Sequence, residues 1–503
     1  MKILKWLLLT VALPLFVACF EDKSTPADKP LSNIKIEQGI DSVYNIYKFD
    51  TLVINPVISQ ENMEKPLSYT WEIDLKPYSH DEVFEFVGNE LGKFNCRLIV
   101  ENEDGKAFFP FVLYVNSDYE YGITVLSQDA NGNSMLSFMQ EPMTKGDTAK
   151  FTAYDCFARN NPDEVFAAGA IDVVQCGGRL IIACQGGVER GDAPTIYYLN
   201  EKTMVVENKF TVSEYDDFKP VILGVPTISP IGSIYPIVCE NGKVYDFSVT
   251  EGVVSEPLKH KQTYAQKCLV DAYGGYYDFL LFDKDNNGLS LISNGYGPFY
   301  CGTPYQMKLD SLYATNNHFA DRDLVTMVKI RMTTAQRNIT GSQEVIVISQ
   351  KEGTQGAGMR SEVLYFDFWG YDFTKQESYF FNSNQQLVAS LPNNPITIST
   401  PCIANKTHST LFFAYGNKVY SWNYTKPLAE LTSKTLFAVG SRFARITGFE
   451  MSADHKVTYV SFYDPQKQGM NGSVWLFDTA TGEILEKHEN ICYRPVKMFY
   501  KTR

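Results

Sequence analysis

The first residues of the chain change sharply from basic to apolar. Met1 to Ala18 opens with Lys2 and Lys5 and continues as an apolar stretch from Trp6 to Val17. This stretch has about a dozen residues, whereas a helix that spans a membrane needs about 20. The pattern therefore predicts a cleaved signal peptide over residues 1–18.

Residues 19–32 are rich in Pro, Lys, Asp and Ser and have no apolar periodicity, so we expect a flexible stalk. Alternation typical of β-strands follows in Ser68 to Ile73 and Gly92 to Val100, and Phe109 to Val115 is a closing strand. Over residues 33–117 this spacing predicts a small Ig-like β-sandwich. Its Trp71 is expected to face the paired final strands.

Residues 118–503 read as successive short strands and turns with hardly any helical periodicity. Glu240 to Phe247 resembles Tyr415 to Trp422, and each segment places an Asn-Gly or Gly-Asn turn between alternating strands. Four-stranded units that repeat at roughly 40 to 55 residues predict a β-propeller. An array of β-sandwiches is the alternative architecture.

The predicted propeller has about seven blades, which makes the whole chain all-β. One blade would be shared by the chain ends, where Tyr121 to Phe138 would pair with Cys492 to Tyr500. The apolar blocks that mark the other blades begin near Phe166, Pro220, Ala265, Leu324, Ile396 and Ile446.

The composition narrows the classes of partner. A formal net charge of -13 argues against nucleic acid, because phosphate binding depends on Lys and Arg that neutralise the backbone. Aromatic residues make up 14% of the chain, which suits β-structure and also contact with carbohydrate or peptide. The 10 Cys show no CxxC spacing, so we expect few or no disulfides.

The tetrapeptide Phe16-Val17-Ala18-Cys19 resembles a bacterial lipobox, in which a Cys after small residues receives a diacylglycerol and becomes the mature N-terminus. The resemblance implies a lipid on Cys19. The acidic patch from Phe20 to Lys23 is similar to the surface-export signal of lipoproteins in the Bacteroidota, which implies the outer face of the outer membrane. An anchor that faces the periplasm, or an ordinary secretory signal with an incidental Cys, is the alternative.

The segment from Ser68 to Val115 carries a second resemblance. Its Tyr-x-Trp strand, its Gly-x-Phe-x-x-x-Leu-x-Val strand and the Asp104-Gly105 turn before a last β run resemble the PKD-like family. PKD-like lipoproteins of the Bacteroidota have a lipid signal, one such sandwich and a long β-rich C-terminal region. Their genes usually lie beside an outer-membrane transporter and its lid-like lipoprotein, in loci like the starch-utilisation system, which implies those partners.

The sequence contains only a weak candidate for a metal site. Asp283, Asp285 and Asn287 alternate as in the first half of a calcium loop, with Gly288 for the bend. The twelfth position is Asn294, where that loop requires a bidentate Glu, and a polar hairpin turn explains the same residues. We therefore predict no metal site and no cofactor.

Catalytic motifs are also lacking in the sequence. The six His are scattered without His-Glu-x-x-His, no Gly-x-Ser-x-Gly elbow occurs, and no aspartate-box repeats of sialidase-like propellers are seen. Asp129 to Asn133 is predicted to be a turn. A glycosidase pair of carboxylates stays open, because two of them can meet from anywhere in the sequence.

These observations lead to one expected function and two alternatives. We expect a non-catalytic accessory lipoprotein at the cell surface that captures a glycan or peptide for an outer-membrane transporter. An envelope scaffold or adhesion protein would show a broad exposed apolar patch. A propeller glycoside hydrolase or lyase would show at least two acidic groups converging in the central funnel.

Overall fold

A computed structural model describes residues 30–141, 152–187, 191–224, 234–248, 251–255, 257, 267, 269–273, 276–283, 288–293, 305–306, 321–336, 343–351, 360–372, 377–390, 396–425 and 435–502. The chain divides into two compact units, with the boundary between Ser117 and Asp118. Within these ranges, no helix has the length and apolar character that a membrane span requires.

The first unit is built from short β-strands. Its strands are β1 (Ile34–Gln38), β2 (Val43–Tyr47), β3 (Thr51–Ile54), β4 (Val57–Gln60), β5 (Ser68–Ile73), β6 (Lys76–Ser79), β7 (Phe84–Val87), β8 (Gly92–Asn102) and β9 (Gly105–Asn116). They form a five-stranded sheet in the order β2-β9-β8-β5-β6 and two pairs, β1-β4 and β3-β7. The β2–β9 pairing is parallel, and the other pairings are antiparallel.

One hydrophobic core joins these sheets around Trp71. The indole is fully buried, and its ring lies 4.8 Å from Phe84 and 6.1 Å from Phe111 between centroids. Phe111 belongs to β9, in the same five-stranded sheet as Trp71, and Trp71 pairs with Leu98 of β8. Trp71 therefore lies beside the final strands within one sheet, whereas the prediction was that it faces them. Its Nε1 donates a hydrogen bond to the carbonyl of Asp81 at 2.9 Å, so the buried polar atom of the indole is satisfied.

The predicted stalk extends too far along the chain at its C-terminal end. Ser32 is 2% exposed, and its hydroxyl oxygen lies 2.8 Å from Gln60 Oε1 and 2.6 Å from the carbonyl oxygen of Met63, either of which can accept its hydrogen bond. The Asn102 amide donates in turn to the Ser32 carbonyl at 2.9 Å. These bonds attach Ser32 to the first unit, so any stalk ends before it.

The second unit contains the remaining strands and the short helix α1 (Cys156–Asn160). Its first strands are β10 (Gly122–Gln128), β11 (Ser134–Gln140), β12 (Thr152–Ala153), β13 (Ala170–Cys176), β14 (Arg179–Cys184), β15 (Thr195–Asn200), β16 (Val206–Thr211), β17 (Pro220–Leu223), β18 (Ile234–Cys239), β19 (Val244–Ser248), β20 (Val253–Val254), β21 (Leu269–Tyr273), β22 (Tyr276–Asp283), β23 (Gly288–Ser293) and β24 (Tyr305–Gln306).

The later strands complete the series. They are β25 (Arg322–Arg331), β26 (Gln343–Lys351), β27 (Arg360–Asp372), β28 (Glu377–Ser390), β29 (Cys402–Asn405), β30 (Thr410–Tyr415), β31 (Lys418–Asn423), β32 (Thr435–Ala438), β33 (Arg445–Met451), β34 (Val457–Tyr463), β35 (Gly472–Asp478), β36 (Ile484–Cys492) and β37 (Arg494–Lys501).

Within the described residues, these strands fall into seven antiparallel sets of four, here called set 1 to set 7. Sets 2 to 7 are consecutive along the chain: β13–β16, β17–β20, β21–β24, β25–β28, β29–β32 and β33–β36. A short parallel contact between β25 and β29 joins sets 5 and 6 into one sheet. The sets begin within a few residues of the apolar blocks named from the sequence.

Set 1 combines both ends of the second unit, in the order β12-β11-β10-β37. Gly122 pairs with Lys501 and Val125 with Met498, which confirms the predicted pairing of the chain ends. β37 contacts β13 on one side and β33 on the other, and contacts between β13 and β17, β21 and β25, β25 and β29, and β29 and β33 continue that order. We call β37 and the first strands of the other sets the innermost strands; this radial connectivity is that of a β-propeller.

Both faces of a sheet in this unit are buried. On β14, Leu180 and Ile182 pack into a core shared with set 1, whereas Ile181 and Ala183 pack into a core shared with set 3. Since successive side chains of a strand point to opposite faces, each sheet must lie between two neighbours. This explains why the strands read as nearly continuous apolar runs.

The predicted turns are present. Gly242 (φ +84°) lies in the β18–β19 hairpin and Gly416 (φ +62°) in the β30–β31 hairpin, both in the left-handed region that glycine tolerates. Asp129 to Asn133 connects β10 to β11, and Asp129 Oδ1 accepts backbone N–H bonds from Asn131 and Asn133.

Substitution of Leu126 tests the packing of set 1, which combines both ends of the second unit. It is fully buried on β10 opposite Lys497 of β37, so Leu126→Ala should lower the free energy of unfolding of the second unit by about 3 kcal/mol. Leu485 of β36 is 53% exposed, so Leu485→Ala should change the free energy of unfolding by less than about 0.5 kcal/mol. Denaturant unfolding of both variants measures the difference, and equal effects would contradict the described packing.

Candidate functional site

The residues singled out for lipid and metal binding lie mostly outside the described residues. Cys19, Asp285 and Asn287 are in that category. Asp283 ends β22 and pairs with Gly288, the first residue of β23. The loop thus closes a hairpin, as the polar-turn interpretation requires. Across the described ranges, no group of three or more His, Cys, Asp or Glu side chains could hold a metal ion.

The described cysteines are poor nucleophiles. They are free thiols, and most of them are buried in the apolar cores. Burial raises the pKa of Cys239 and Cys492 to about 12, so both stay protonated at neutral pH. The thiolate that covalent catalysis would need is therefore not provided at these positions.

Charged side chains on the innermost strands form ion pairs between strands of the second unit. We call Asp172, Arg331, Glu450 and Lys497 the axial cluster. They lie on β13, β25, β33 and β37, respectively. Each is a charged residue, and each has at least one fully or largely buried neighbour on its own strand. The cluster consists of two ion pairs.

The first pair joins Lys497 to Asp172. The ammonium Nζ lies 2.8 Å from Asp172 Oδ1, which also accepts the Val173 N–H at 3.1 Å. The other oxygen, Oδ2, accepts the N–H of Leu223 at 2.9 Å. Leu223 belongs to β17, so the carboxylate connects three innermost strands, and both of its oxygens are occupied.

The second pair joins Arg331 to Glu450. Arg331 Nη2 donates to Glu450 Oε1 at 2.6 Å, and the same oxygen accepts the N–H of Met451 at 3.0 Å. These residues lie on β25 and β33, which flank β29 in the order of the innermost strands. This ion pair therefore connects set 5 to set 7 past set 6.

Both pairs have the same polarity. The carboxylate side chains of Asp172 and Glu450 are 3% and 6% exposed, whereas the side chains of Lys497 and Arg331 are 42% and 44% exposed. A buried anion behind an accessible cation is a dipole with its positive end toward water. The axial cluster presents two such ends.

The pKa of Lys497 indicates that the two pairs interact. Burial lowers the pKa of Lys497, and the positive charge of Arg331 lowers it as well. The negative charges of Asp172 and, to a smaller extent, Glu450 raise it by more in total, so this pKa lies above its usual value. The influence of Glu450 and Arg331 shows that the two pairs lie within electrostatic reach of each other.

Two further groups lie beside the Arg331 end. Lys406 forms an ion pair with the buried Glu344, and its backbone N–H donates to the Arg331 carbonyl at 2.9 Å. His455 is 7% exposed, and its Nδ1 has no hydrogen-bond partner among the described residues. Burial and then the Arg331 charge lower the pKa of His455, so the imidazole is neutral at neutral pH.

The axial cluster was not predicted from the sequence. A usable signal was present, because Asp172 is the one charged residue in Ala170-Ile171-Asp172-Val173-Val174, an otherwise apolar strand. Buried charges of this kind are paired or hydrogen-bonded. The signal does not name the partner, since Lys497 and Arg331 come from distant parts of the chain.

No family model matches the chain, and no curated protein matches it either. Among solved structures, a quinoprotein alcohol dehydrogenase-like protein from Bacteroides thetaiotaomicron is 14% identical, with a TM-score of 0.45 over 94% of this chain and 99% of that one. The β-propeller domain of Cps50 from Myceliophteria thermophila is 12% identical, with a TM-score of 0.34 over 65% of this chain and 89% of that one.

Apo AztD from Citrobacter koseri is 9% identical, with a TM-score of 0.37 over 75% of this chain and 97% of that one. Identities and TM-scores this low assign this chain no family and no activity. The class defined by its own strand connectivity is an all-β protein whose second unit has the strand order of a β-propeller.

Asp172 tests whether the axial cluster holds the innermost strands together. Asp172→Ala leaves two backbone N–H groups and the Lys497 ammonium without their acceptor, so the free energy of unfolding should fall by about 3 kcal/mol. Asp217 is the control, because it forms an ion pair with Lys243 at 2.5 Å but is half-exposed. Denaturant unfolding should show only a small change for Asp217→Ala, and an equally small change for Asp172→Ala would contradict the tethering role.

His455 should make the second unit sensitive to acid. Because its pKa is lowered in the folded chain, the unfolded chain takes up a proton first as the pH falls below 6.5, and stability is lost from there downward. His455→Asn removes the titration and suits the positive φ of 59° at this position.

The measurement is the unfolding temperature between pH 7 and pH 5, where His455→Asn should lose less than the native chain. His408→Asn is the control, since His408 is exposed in the same unit. If His455→Asn and the native chain showed the same pH profile, the His455 interpretation would be wrong.

Proposed function

We propose that this chain is a lipoprotein of the outer cell surface that binds a glycan or peptide without breaking it down. Its leader would be residues 1–18, its lipid would sit on Cys19, and a stalk would follow. The lipobox resemblance of Phe16 to Cys19 and the acidic patch after it support this location. An outer-membrane transporter and its lid-like lipoprotein are the proposed partners, and the PKD-like resemblance supports them.

The proposal assigns each unit a task. The first unit would be a PKD-like sandwich that acts as a spacer, supported by its single core around Trp71 and by the parallel β2–β9 pairing. The second unit would be a closed propeller of seven blades, supported by its seven sets and the pairing of its ends. A propeller offers a loop-lined face and a central recess in which a ligand can be held.

The observation that carries the proposal is the polarity of the axial cluster. Lys497 and Arg331 are held in place by buried carboxylates and remain accessible to a ligand. A glycosidase needs two carboxyl groups that can reach the substrate. Asp172 uses both oxygens within the protein, so this carboxylate suits a support for a binding site better than an acid or a nucleophile.

A scaffold or adhesion role is the second candidate, and exposed apolar residues of the first unit favour it. Phe108 is 54% exposed on the outer face of the five-stranded sheet, and Val43 on β2 of the same sheet is also exposed. The Arg97 guanidinium lies over the Phe108 ring at 5.5 Å, and Arg97 forms an ion pair with Glu72. The face is therefore mixed in character, whereas a scaffold would use a broad apolar patch.

Substitution of Cys19 tests the proposed lipid anchor and provides a protein without that anchor for a binding assay. Cells fed labelled palmitate should label the native protein, and Cys19→Ser should remove the label and release a soluble chain. Cys176→Ser is the control and should keep the label, since Cys176 belongs to β13. Protease added to intact cells should degrade the native protein if it faces outward.

The soluble Cys19→Ser chain should bind at least one ligand in a screen of glycans and peptides, and the bound ligand should be recovered intact. Cleaved products in the mixture would support the hydrolase alternative instead. An absence of binding to any glycan or peptide would favour the scaffold. A native protein that carried no palmitate would remove the basis for the proposed location.

A further inference from the structure

We propose that the axial cluster binds a carboxylate group of the ligand through Lys497 and Arg331. This inference rests on the proposed binding function and adds the chemical class that the site selects. Both cations have N–H donors beyond those used in their ion pairs. An ammonium has three N–H donors and a guanidinium has five.

The described contacts use few of these donors. Lys497 donates to Asp172, and Arg331 Nη2 donates to Glu450. Among the described residues, these are the only hydrogen-bond acceptors of the two side chains. Because 42% and 44% of the two side-chain surfaces are accessible, a ligand can approach these side chains without breaking either ion pair.

The arrangement selects the sign of the ligand's charge. The positive ends of both ion pairs point to the accessible side, so an anionic group is attracted and a cationic group is repelled. The carboxylates cannot bind a metal or an amine from that side, because they are almost fully buried. A neutral group gains only ordinary hydrogen bonds, which are weaker than charge-assisted ones.

The guanidinium favours a carboxylate in particular. Its planar fork matches the two oxygens of a carboxylate, while the Lys497 ammonium adds a point charge that needs no fixed direction. Two ligands of the proposed function carry this group: an acidic sugar with a uronic acid carboxyl, and a peptide with acidic side chains. The shared chemistry is the carboxylate, and separate probes distinguish its sources.

The test measures binding to the soluble Cys19→Ser chain by isothermal titration calorimetry. One arm compares trigalacturonate with its neutral methyl ester, and the other compares an end-capped triglutamate peptide with the end-capped triglutamine peptide. At least one acidic probe should bind about tenfold or more tightly than its neutral match. Its affinity should also fall as salt rises from 50 to 500 mM, since opposite charges are screened.

A double substitution locates the effect at the axial cluster. Lys497→Met with Asp172→Asn removes both charges of one pair and leaves no buried charge alone, and it should weaken the acidic probe about tenfold. Lys243→Met with Asp217→Asn is the matched control, because that ion pair lies outside the axial cluster and Lys243 is similarly accessible. The control should leave binding unchanged.

Three results would overturn the inference: neither acidic probe binds, the neutral probes bind equally well, or the control substitution weakens binding as much as the axial one. If the axial variant fails to fold, the acid-against-neutral comparison and the salt dependence on the unsubstituted chain still decide. Binding of a neutral glycan or peptide alone would reject the carboxylate inference and leave the proposed binding function standing. Absence of any ligand in the wider screen would reject both.

Discussion

The architecture of the second unit depends on burying both faces of a sheet, as the described side chains of set 2 show. Leu180 and Ile181 are neighbours in sequence, yet they enter different cores, because the strand presents them to opposite sides. A series of such sheets cannot stop, since the last sheet would leave an apolar face in water at about 25 cal/mol per Å². The pairing of β10 with β37 resolves this, because it places the final strand in set 1.

The axial cluster adds polar connections between the innermost strands. Asp172 ties three of them through hydrogen bonds to β13, β17 and β37. A buried carboxylate must have a partner, so each acid brings a cation, and the cation takes the accessible side. The accessible positive ends of the two ion pairs thus follow from a structural requirement.

Much of the fold could be predicted from the sequence because its signals are local. Turns such as that at Gly242 and apolar blocks such as that near Pro220 are read within a few residues. The axial cluster joins residues from distant repeats, so no local pattern links Lys497 to Asp172. Ser32 was misassigned for a related reason, because a polar residue beside Pro30 resembles a linker until its hydrogen bonds to Asn102 and Gln60 are known.

The overall charge of the chain and its axial cluster act at different distances. A net charge of -13 repels an anion from afar, but charges more than about 10 Å apart are largely screened at 0.1 M salt. Close to the cluster, the positive ends of the two ion pairs dominate, because the carboxylates lie behind them. An acidic ligand bound as proposed would therefore gain attraction where it meets Lys497 and Arg331, while the net negative charge of the chain would weaken loose binding elsewhere.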